Sequence, residues 1–291
     1  MKSRITIGRV ITYIALIILA VSIIVPVGWV FLASIKENNE FYGNPWTLPK
    51  GFHFQNFSEA FSQARMGSYF FNSVMVTVIA LALLLILALP AAYVLSRYKF
   101  RGNKLLNLAF MAGLFINVSY IVVPIFLMLV DGNKFLKQIF GGNVSFFLNN
   151  IFIMGLIYAS TALPFTIYLL SSYFKTLPKD FEEAAYVDGA GYFKTMTAII
   201  LPMAKPSIIT VILFNFLAFW NEYIIAVTIM TEDTAKTLPV GLMNLMAAQN
   251  AKAEYGKLYA GLVIVMLPTL ILYMIVQKQL IQGMTAGGIK G

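Results

Sequence analysis

The 291-residue sequence contains no cysteine and only one histidine, His53. The absence of cysteine excludes disulfide bonds and thiolate metal sites. His53 has no partner at the spacing of a metal-binding motif, and a Ser/His/Asp triad would depend on this one side chain. No Gly-x-x-x-x-Gly-Lys-Ser/Thr phosphate loop occurs in the chain. We therefore expect no catalytic site and no metal, nucleotide or other cofactor bound by this chain.

Charged residues are scarce as well: they make up 11% of the chain, whereas 59% of its residues are hydrophobic. Soluble domains have roughly 25% charged and about 45–50% apolar residues, so we expect membrane lipid as the surroundings. A helix needs about 20 apolar residues to cross a bilayer core. The charge-free windows predict an all-α, polytopic membrane protein with one domain over residues 1–291. Its six transmembrane helices are expected at about 10–34, 70–95, 106–130, 150–173, 207–230 and 258–279.

The 21 lysine and arginine residues are distributed unequally between the loops. If the N-terminus lies inside, thirteen of them fall in inner segments and the remaining eight in outer loops. Basic residues concentrate on the cytoplasmic side of membrane proteins, so both termini are predicted to be cytoplasmic. The net charge of +9 thus reports topology and gives no reason to expect a nucleic-acid partner.

The largest inner loop, about residues 175–206, is a polar stretch between long apolar segments. It contains the sequence EAAYVDGAG, beginning at Glu183, and the sequence IILP, ending at Pro202. Asp180 and Glu183 are spaced as a helix-capping pair, and Gly189 permits a sharp turn where the helix ends. The pattern predicts a short helix followed by a second one over about 192–200. On these grounds alone, an ordinary amphipathic helix at the membrane surface is an open alternative.

The same loop resembles the EAA motif of ABC importer permeases, which reads Glu-Ala-Ala, three residues, Gly, nine residues, then Ile-x-Leu-Pro. The spacing of the matching residues in this loop is that of the motif throughout. The segments 91–102 and 219–223 are similar to sugar permeases of the maltose type. The segment 237–242 and the tail 283–291 are similar to the smaller, six-span subunit of that type. The sequence is therefore identified as a member of this carbohydrate uptake family.

This resemblance implies one non-catalytic permease subunit of an ATP-driven, binding-protein-dependent importer of carbohydrate, with an oligosaccharide as the expected cargo. It implies a bacterial inner membrane complex with a second, different permease subunit and two ATPase subunits that hold ATP and Mg. An extracytoplasmic sugar-binding protein completes the complex. The inner loop would be the coupling helix, between spans four and five, through which the ATPases move the spans.

The resemblance also assigns contact residues. Those expected to couple to the ATPases are Glu183, Ala184, Ala185, Asp188, Gly189, Leu201 and Pro202. The tail of the smaller subunit inserts between its ATPases, which implies contacts by Thr285, Ala286, Gly287 and Gly288. The outer loop at about 231–257 would reach the binding protein through Asn244, Gln249, Asn250 and Tyr255. A solvated connector is the alternative for this loop, and a frayed terminus is the alternative for the tail.

Glu222 is the one acidic residue inside a predicted span. Ionisable groups within a membrane usually face an interior or a water-filled path. The candidate substrate-pathway residues are Trp220, Asn221, Glu222, Tyr223, Asn117 and Tyr120. Hydrogen bonding between helices remains the alternative for the polar members of this set.

Two other classes of function stay open on the residues alone. A secondary transporter or membrane enzyme that works without ATP would need intramembrane charges, for which Glu222 gives thin support. A purely structural membrane scaffold would leave the pattern of the inner loop unexplained.

Overall fold

A computed structural model of the chain describes residues 7–42, 44–62, 64–141, 145–248 and 253–286, with side chains as far as Gln277. Within these ranges the regular structure is entirely helical. The α-helices are α1 Ile7–Ser34, α2 Gln55–Ser62, α3 Met66–Arg97, α4 Asn103–Gly113, α5 Val118–Phe140, α6 Ile151–Phe174, α7 Asp180–Val187, α8 Tyr192–Thr195, α9 Leu201–Met203, α10 Lys205–Trp220, α11 Ile224–Ile229, α12 Leu238–Ala248 and α13 Tyr255–Ala286.

Five of the described helices are long and apolar enough to cross a membrane: α1, α3, α5, α6 and the Tyr255–Gln277 part of α13. A sixth span is formed if α10 is counted together with the helical segment Tyr192–Met203 that precedes it, from which it is bent by 77°. The predicted all-α, polytopic fold is therefore confirmed.

The span predicted at about 106–130 is wrong in its bounds, because two helices occupy this region. Helix α4 ends at Gly113, and α5 begins after Asn117, whose side chain accepts a hydrogen bond from the backbone N–H of Ser119 at 2.9 Å. Helix α5 then continues to Phe140, through residues that the sequence placed in an outer loop. Asp131 and Lys134 pair at 2.8 Å on the exposed surface of α5, so these charges do not end the helix.

The span predicted at about 207–230 is also interrupted. Helix α10 ends at Trp220, and α11 starts at Ile224. The carboxylate of Glu222 accepts hydrogen bonds from the backbone N–H groups of Ile225 at 2.8 Å and Ala226 at 3.0 Å. An acid in this position satisfies the free amides at the start of a new helix, which explains the break.

The described chain divides into two compact units. One comprises the described residues up to Gly67 together with Gly241–Leu267, and the other comprises Ser68–Val240 with the described residues from Pro268. In the first unit the predicted outer loop at 36–68 is folded: Lys36 is buried, donates to the carbonyl of Pro45 at 2.8 Å and lies 4.5 Å from the ring centroid of Trp29. This lysine fixes the loop to the end of α1.

The second unit is built around α3, α6 and α10. A Cβ added to Gly155 of α6 would lie 2.7 Å from Ile79 of α3, so the missing side chain is what allows these two helices to approach. Helices α6 and α10 are joined by a buried hydrogen bond of 3.0 Å from Asn215 to Thr166. Small residues and buried amides are typical of helix contacts in membranes. This packing positions the loop between α6 and α10.

Candidate functional site

Helix α7 lies at the centre of the loop that joins α6 to α10. Its N-cap residue is Lys179, which makes no capping hydrogen bond through its side chain. The predicted Asp180–Glu183 capping pair is therefore wrong, because the helix begins one residue too early for Asp180 to cap it. Asp180, Glu182 and Glu183 instead occupy the first turn, where negative charge favours the positive end of the helix dipole.

The predicted turn at Gly189 is confirmed. Gly189 has φ +76°, and its N–H donates to the carbonyl of Tyr186 at 3.0 Å. The N–H of Ala190 donates to the carbonyl of Ala185 at 2.8 Å. These two bonds form a Schellman motif that ends α7 and needs a left-handed residue, for which glycine carries no steric cost.

The two alanines of the motif lie on different faces of α7. Ala185 is 4% exposed and packs inside its own chain, whereas Ala184 is exposed beside Glu183. Val187, at the end of the helix, is 87% exposed. Of the two alanines, only Ala184 is available at the surface of this chain for a partner.

The segment after α7 leads directly into α10. Helix α8 passes into a π-helical segment, Met196–Ile200, and then into α9. The side chains of Thr195 and Ile200 are fully buried, while Leu201 is half-buried and Pro202 is exposed. The packed helical segment Tyr192–Met203 therefore joins α7 to α10, from which it is bent by 77°.

A cluster of polar side chains holds α7 against the end of α3. Arg97, the last residue of α3, forms an ion pair with Glu182 in which Nε and Oε2 are 3.3 Å apart. The hydroxyl groups of Tyr98 and Tyr186 are 2.5 Å apart. Burial, followed by the hydrogen bond with Tyr186, raises the pKa of Tyr98 to about 12, so this hydroxyl stays neutral at physiological pH.

Sequence reasoning missed the structural part played by Arg97, Tyr98 and Glu182. Arg97 and Tyr98 entered it only within the segment 91–102. One local signal was available: Glu182 and Ala185 are three residues apart, so they share a helix face. The arginine partner lies too far away in sequence to be found by spacing.

The candidate pathway residues around Glu222 separate into buried and exposed members. Tyr158 donates a 2.7 Å hydrogen bond to Glu222 Oε2, which ties α6 to the start of α11. Trp220 is 2% exposed and packs against the rings of Phe70 and Phe216. These contacts support the helix-tying alternative for both residues.

Asn221 and Tyr223, by contrast, are exposed at the surface of this chain. Asn117 is exposed as the cap of α5, and Tyr120 is 80% exposed. The role of these four residues in a cargo path stays a prediction.

The residues expected to contact a binding protein or the ATPases are only partly described. Asn244 lies on the exposed side of α12, and the N–H of Tyr255 donates to Asn38 at 2.8 Å. Thr285 and Ala286 belong to the last turn of α13. Gln249, Asn250, Gly287 and Gly288 lie outside the described residues.

His53 has closer neighbours than its sequence spacing suggested. Potential ligand atoms of Glu37, Glu40 and His53 lie within 4.8 Å of one another, although their sequence spacing matches no metal-binding motif. The two oxygens of Glu40 accept the backbone N–H groups of Glu37 at 3.0 Å and Lys50 at 2.8 Å. The carboxylate thus already serves to tie the loop together.

Comparison with known proteins identifies the family. Residues 85–286, which include the whole loop around α7, match the family described as binding-protein-dependent transport system inner membrane component. The chain belongs to this family. The permease is therefore a multi-pass inner membrane protein, and its identification from the inner-loop motif is confirmed.

Two curated relatives match the permease over nearly its full length. The diacetylchitobiose uptake system permease protein NgcG of Streptomyces coelicolor is 36% identical over 95% of this chain and 87% of the relative. The trehalose/maltose transport system permease protein MalG of Thermococcus litoralis is 30% identical over 97% of both chains. Both relatives are transport permease subunits by name.

A solved structure shows the same fold. It is that of a bacterial ABC transporter involved in the import of the acidic polysaccharide alginate, with a TM-score of 0.77 and 24% identity. The alignment covers 94% of this permease and 96% of the solved chain.

Proposed function

We propose that this permease is one subunit of an ATP-driven importer of oligosaccharides that receives its cargo from an extracytoplasmic sugar-binding protein. The family description supports the binding protein, and the names of NgcG and MalG support the cargo class. Diacetylchitobiose, trehalose and maltose are all disaccharides. In this proposal a second, different permease subunit completes the path, and two separate ATPase subunits bind ATP and Mg.

The exposed side of α7 is the observation that carries the coupling part of the proposal. Phe181, Ala184 and Val187 are exposed there beside the acid Glu183, and Phe193 of α8 is 71% exposed. Exposed apolar side chains grouped beside a charge are typical of a protein interface. The packed helical segment from α8 to α10 would pass a movement of this surface into a membrane span.

Three further assignments complete the proposal. Both termini and α7 lie on the cytoplasmic side, as the distribution of basic residues indicates. The tail from Thr285 contacts the ATPases, and Asn244 and Tyr255 lie on the side of the binding protein. Asn221, Tyr223 and Tyr120 contribute to the cargo path, while Trp220 and Glu222 support it from inside the chain.

Reconstitution tests this proposal. The tagged permease is purified with its associated subunits, placed in proteoliposomes with the binding protein, and supplied with labelled maltose, trehalose or diacetylchitobiose. We expect uptake only when ATP is present on the side of the ATPases. A permease that carries sugar at full rate without ATP or ATPase subunits would contradict the proposal and favour a secondary transporter.

A further inference from the structure

Arg97 and Glu182 form a buried ion pair between α3 and α7. Their side chains are 5% and 9% exposed, and Arg97 Nε lies 3.3 Å from Glu182 Oε2. The same guanidinium donates through Nη2 to the carbonyl of Leu177 at 2.9 Å, in the segment that leads from α6 to α7. One arginine at the end of a membrane span therefore holds both the start of the loop and α7.

The pair is incompletely hydrogen-bonded in this conformation. Among the described residues, neither Arg97 Nε nor Glu182 Oε1 has a hydrogen-bond partner, although both atoms are buried. A buried polar atom without a partner is costly. An open cleft lined by these two residues, Tyr98 and Tyr186 lies beside the pair. The cleft gives the side chains room to form a better-aligned pair after a small shift of α7.

Separating the two charges would cost more than shifting them together. Removing one member of a buried ion pair leaves the other charge uncompensated in surroundings of low polarity. Helix α7 therefore cannot move away from the end of α3 without a large penalty, whereas a joint displacement keeps the pair intact. The Tyr98–Tyr186 hydrogen bond, at 2.5 Å, adds a second connection between the same two segments.

We propose that Arg97 and Glu182 are positioning residues that carry a displacement of α7 directly into span α3. This inference rests on the proposed function, in which partner ATPases move α7. The covalent route from α7 runs through α8 and α9 to α10, so the ion pair adds a second route to a different span. One movement of the loop would thus shift α3 and α10 together.

The test measures how much sugar is transported for each ATP hydrolysed by the reconstituted complex. In Arg97→Gln and in Glu182→Gln we expect this ratio to fall roughly tenfold, within the range typical for coupling between sites, while the ATPases remain bound. The reciprocal exchange, Arg97→Glu with Glu182→Arg, is expected to restore most of the ratio. Lys99→Gln is the matched control, because Lys99 is an exposed cation just after α3.

The ratio distinguishes a coupling role from a merely structural one. A structural role would lower the amount of assembled complex and leave the sugar-to-ATP ratio of the remainder unchanged, which would overturn the proposal. If the single variants do not assemble, the double variant Arg97→Met with Glu182→Leu removes both charges at similar volume. A normal ratio in that variant also overturns the proposal, and a lowered one supports it. Failure of the wild-type complex to show any ATP-dependent uptake would instead contradict the proposed function itself.

Discussion

Two carboxylates of this permease, the partly buried Glu222 and the buried Glu182, are held in different ways. Glu222 receives hydrogen bonds from a tyrosine hydroxyl and from two backbone amides of the helix that it starts. Glu182 is paired with a charge from another helix and keeps one oxygen without a partner among the described residues. A carboxylate satisfied by its own local backbone fixes one geometry. A carboxylate that depends on a distant arginine links two helices that are far apart in the sequence.

The comparison also explains why an acid within a predicted span need not mark a transport path. Glu222 lies where α10 ends and α11 starts, so its charge offsets the cost of interrupting a helix inside an apolar region. Glu182 lies outside the spans but controls how the end of a span contacts the loop. Of the two acids, we expect the loop acid to have the larger effect on the coupling of transport to ATP.

The largest expected effect on stability is that of Glu222→Ala. This change leaves the hydroxyl of Tyr158 and two amides without their acceptor, and a buried unsatisfied group costs about 1–3 kcal/mol. We expect a loss of roughly 3 kcal/mol in the free energy of unfolding, measured by thermal unfolding in detergent, with less assembled complex in the membrane. Glu222→Gln keeps an acceptor oxygen and serves as the milder control.

Transport per assembled complex separates the two interpretations of Glu222. We expect the ratio of sugar to ATP to stay near the wild-type value in Glu222→Ala. A complex of normal stability that has lost uptake would show instead that Glu222 belongs to the cargo path, and the contrast with Glu182 would not hold.

The second prediction compares the two alanines of α7. Ala185→Trp forces a large ring into a packed position, which typically costs about 1–3 kcal/mol, so we expect less folded permease. Ala184 lies at the surface, so we expect Ala184→Trp to leave folding unchanged and to weaken co-purification of the ATPases. Equal losses of ATPase binding per folded chain in the two variants would contradict the assignment of the two faces.

Part of the fold could be predicted from the sequence because a continuous apolar segment has few alternatives in a membrane. The windows at 10–34, 70–95 and 150–173 lie within or close to α1, α3 and α6. The predictions failed where polar groups act inside a span. Asn117 caps α5 and Glu222 accepts amide groups from the first turn of α11, and neither hydropathy nor charge counting detects such contacts.

In the loop between α6 and α10, features set by neighbouring residues could also be predicted, whereas contacts between residues far apart in the sequence could not. The turn at Gly189 follows from local spacing and was predicted. The ion pair of Arg97 and Glu182 depends on how α3 and α7 pack, so no spacing rule could have found it. The buried side of Ala185 was missed because a small residue suits a packed face and an exposed docking face equally well.

The third prediction concerns the end of α7. Gly189→Ala places a side chain at φ +76°, where a residue other than glycine costs roughly 1–2 kcal/mol. The Schellman bonds that end α7 would weaken, and the orientation of its exposed surface would change with them. We expect uptake to fall several-fold at unchanged ATPase content. Gly191→Ala is the matched control, because its backbone is extended and has open space around the added carbon.

The smallest expected effect is that of Tyr98→Phe, which removes one hydroxyl from the connection between α3 and α7 while the ion pair remains. A partly exposed hydrogen bond contributes about 1 kcal/mol or less, so we expect only a slight loss of thermal stability and of coupling near neutral pH.

The pKa of Tyr98 is about 12 in the folded permease, above its ordinary value of 10. The folded state therefore holds this proton more tightly than the unfolded state does. The stability that depends on this difference is complete below pH 10 and is lost as the pH rises from 10 to 12. Thermal unfolding of wild type and Tyr98→Phe at a series of pH values is the measurement, and the gap between them should close across that interval. A gap that stays constant up to pH 12 would mean that the Tyr98 proton is held no more tightly in the folded permease than in the unfolded chain, and would contradict the raised pKa.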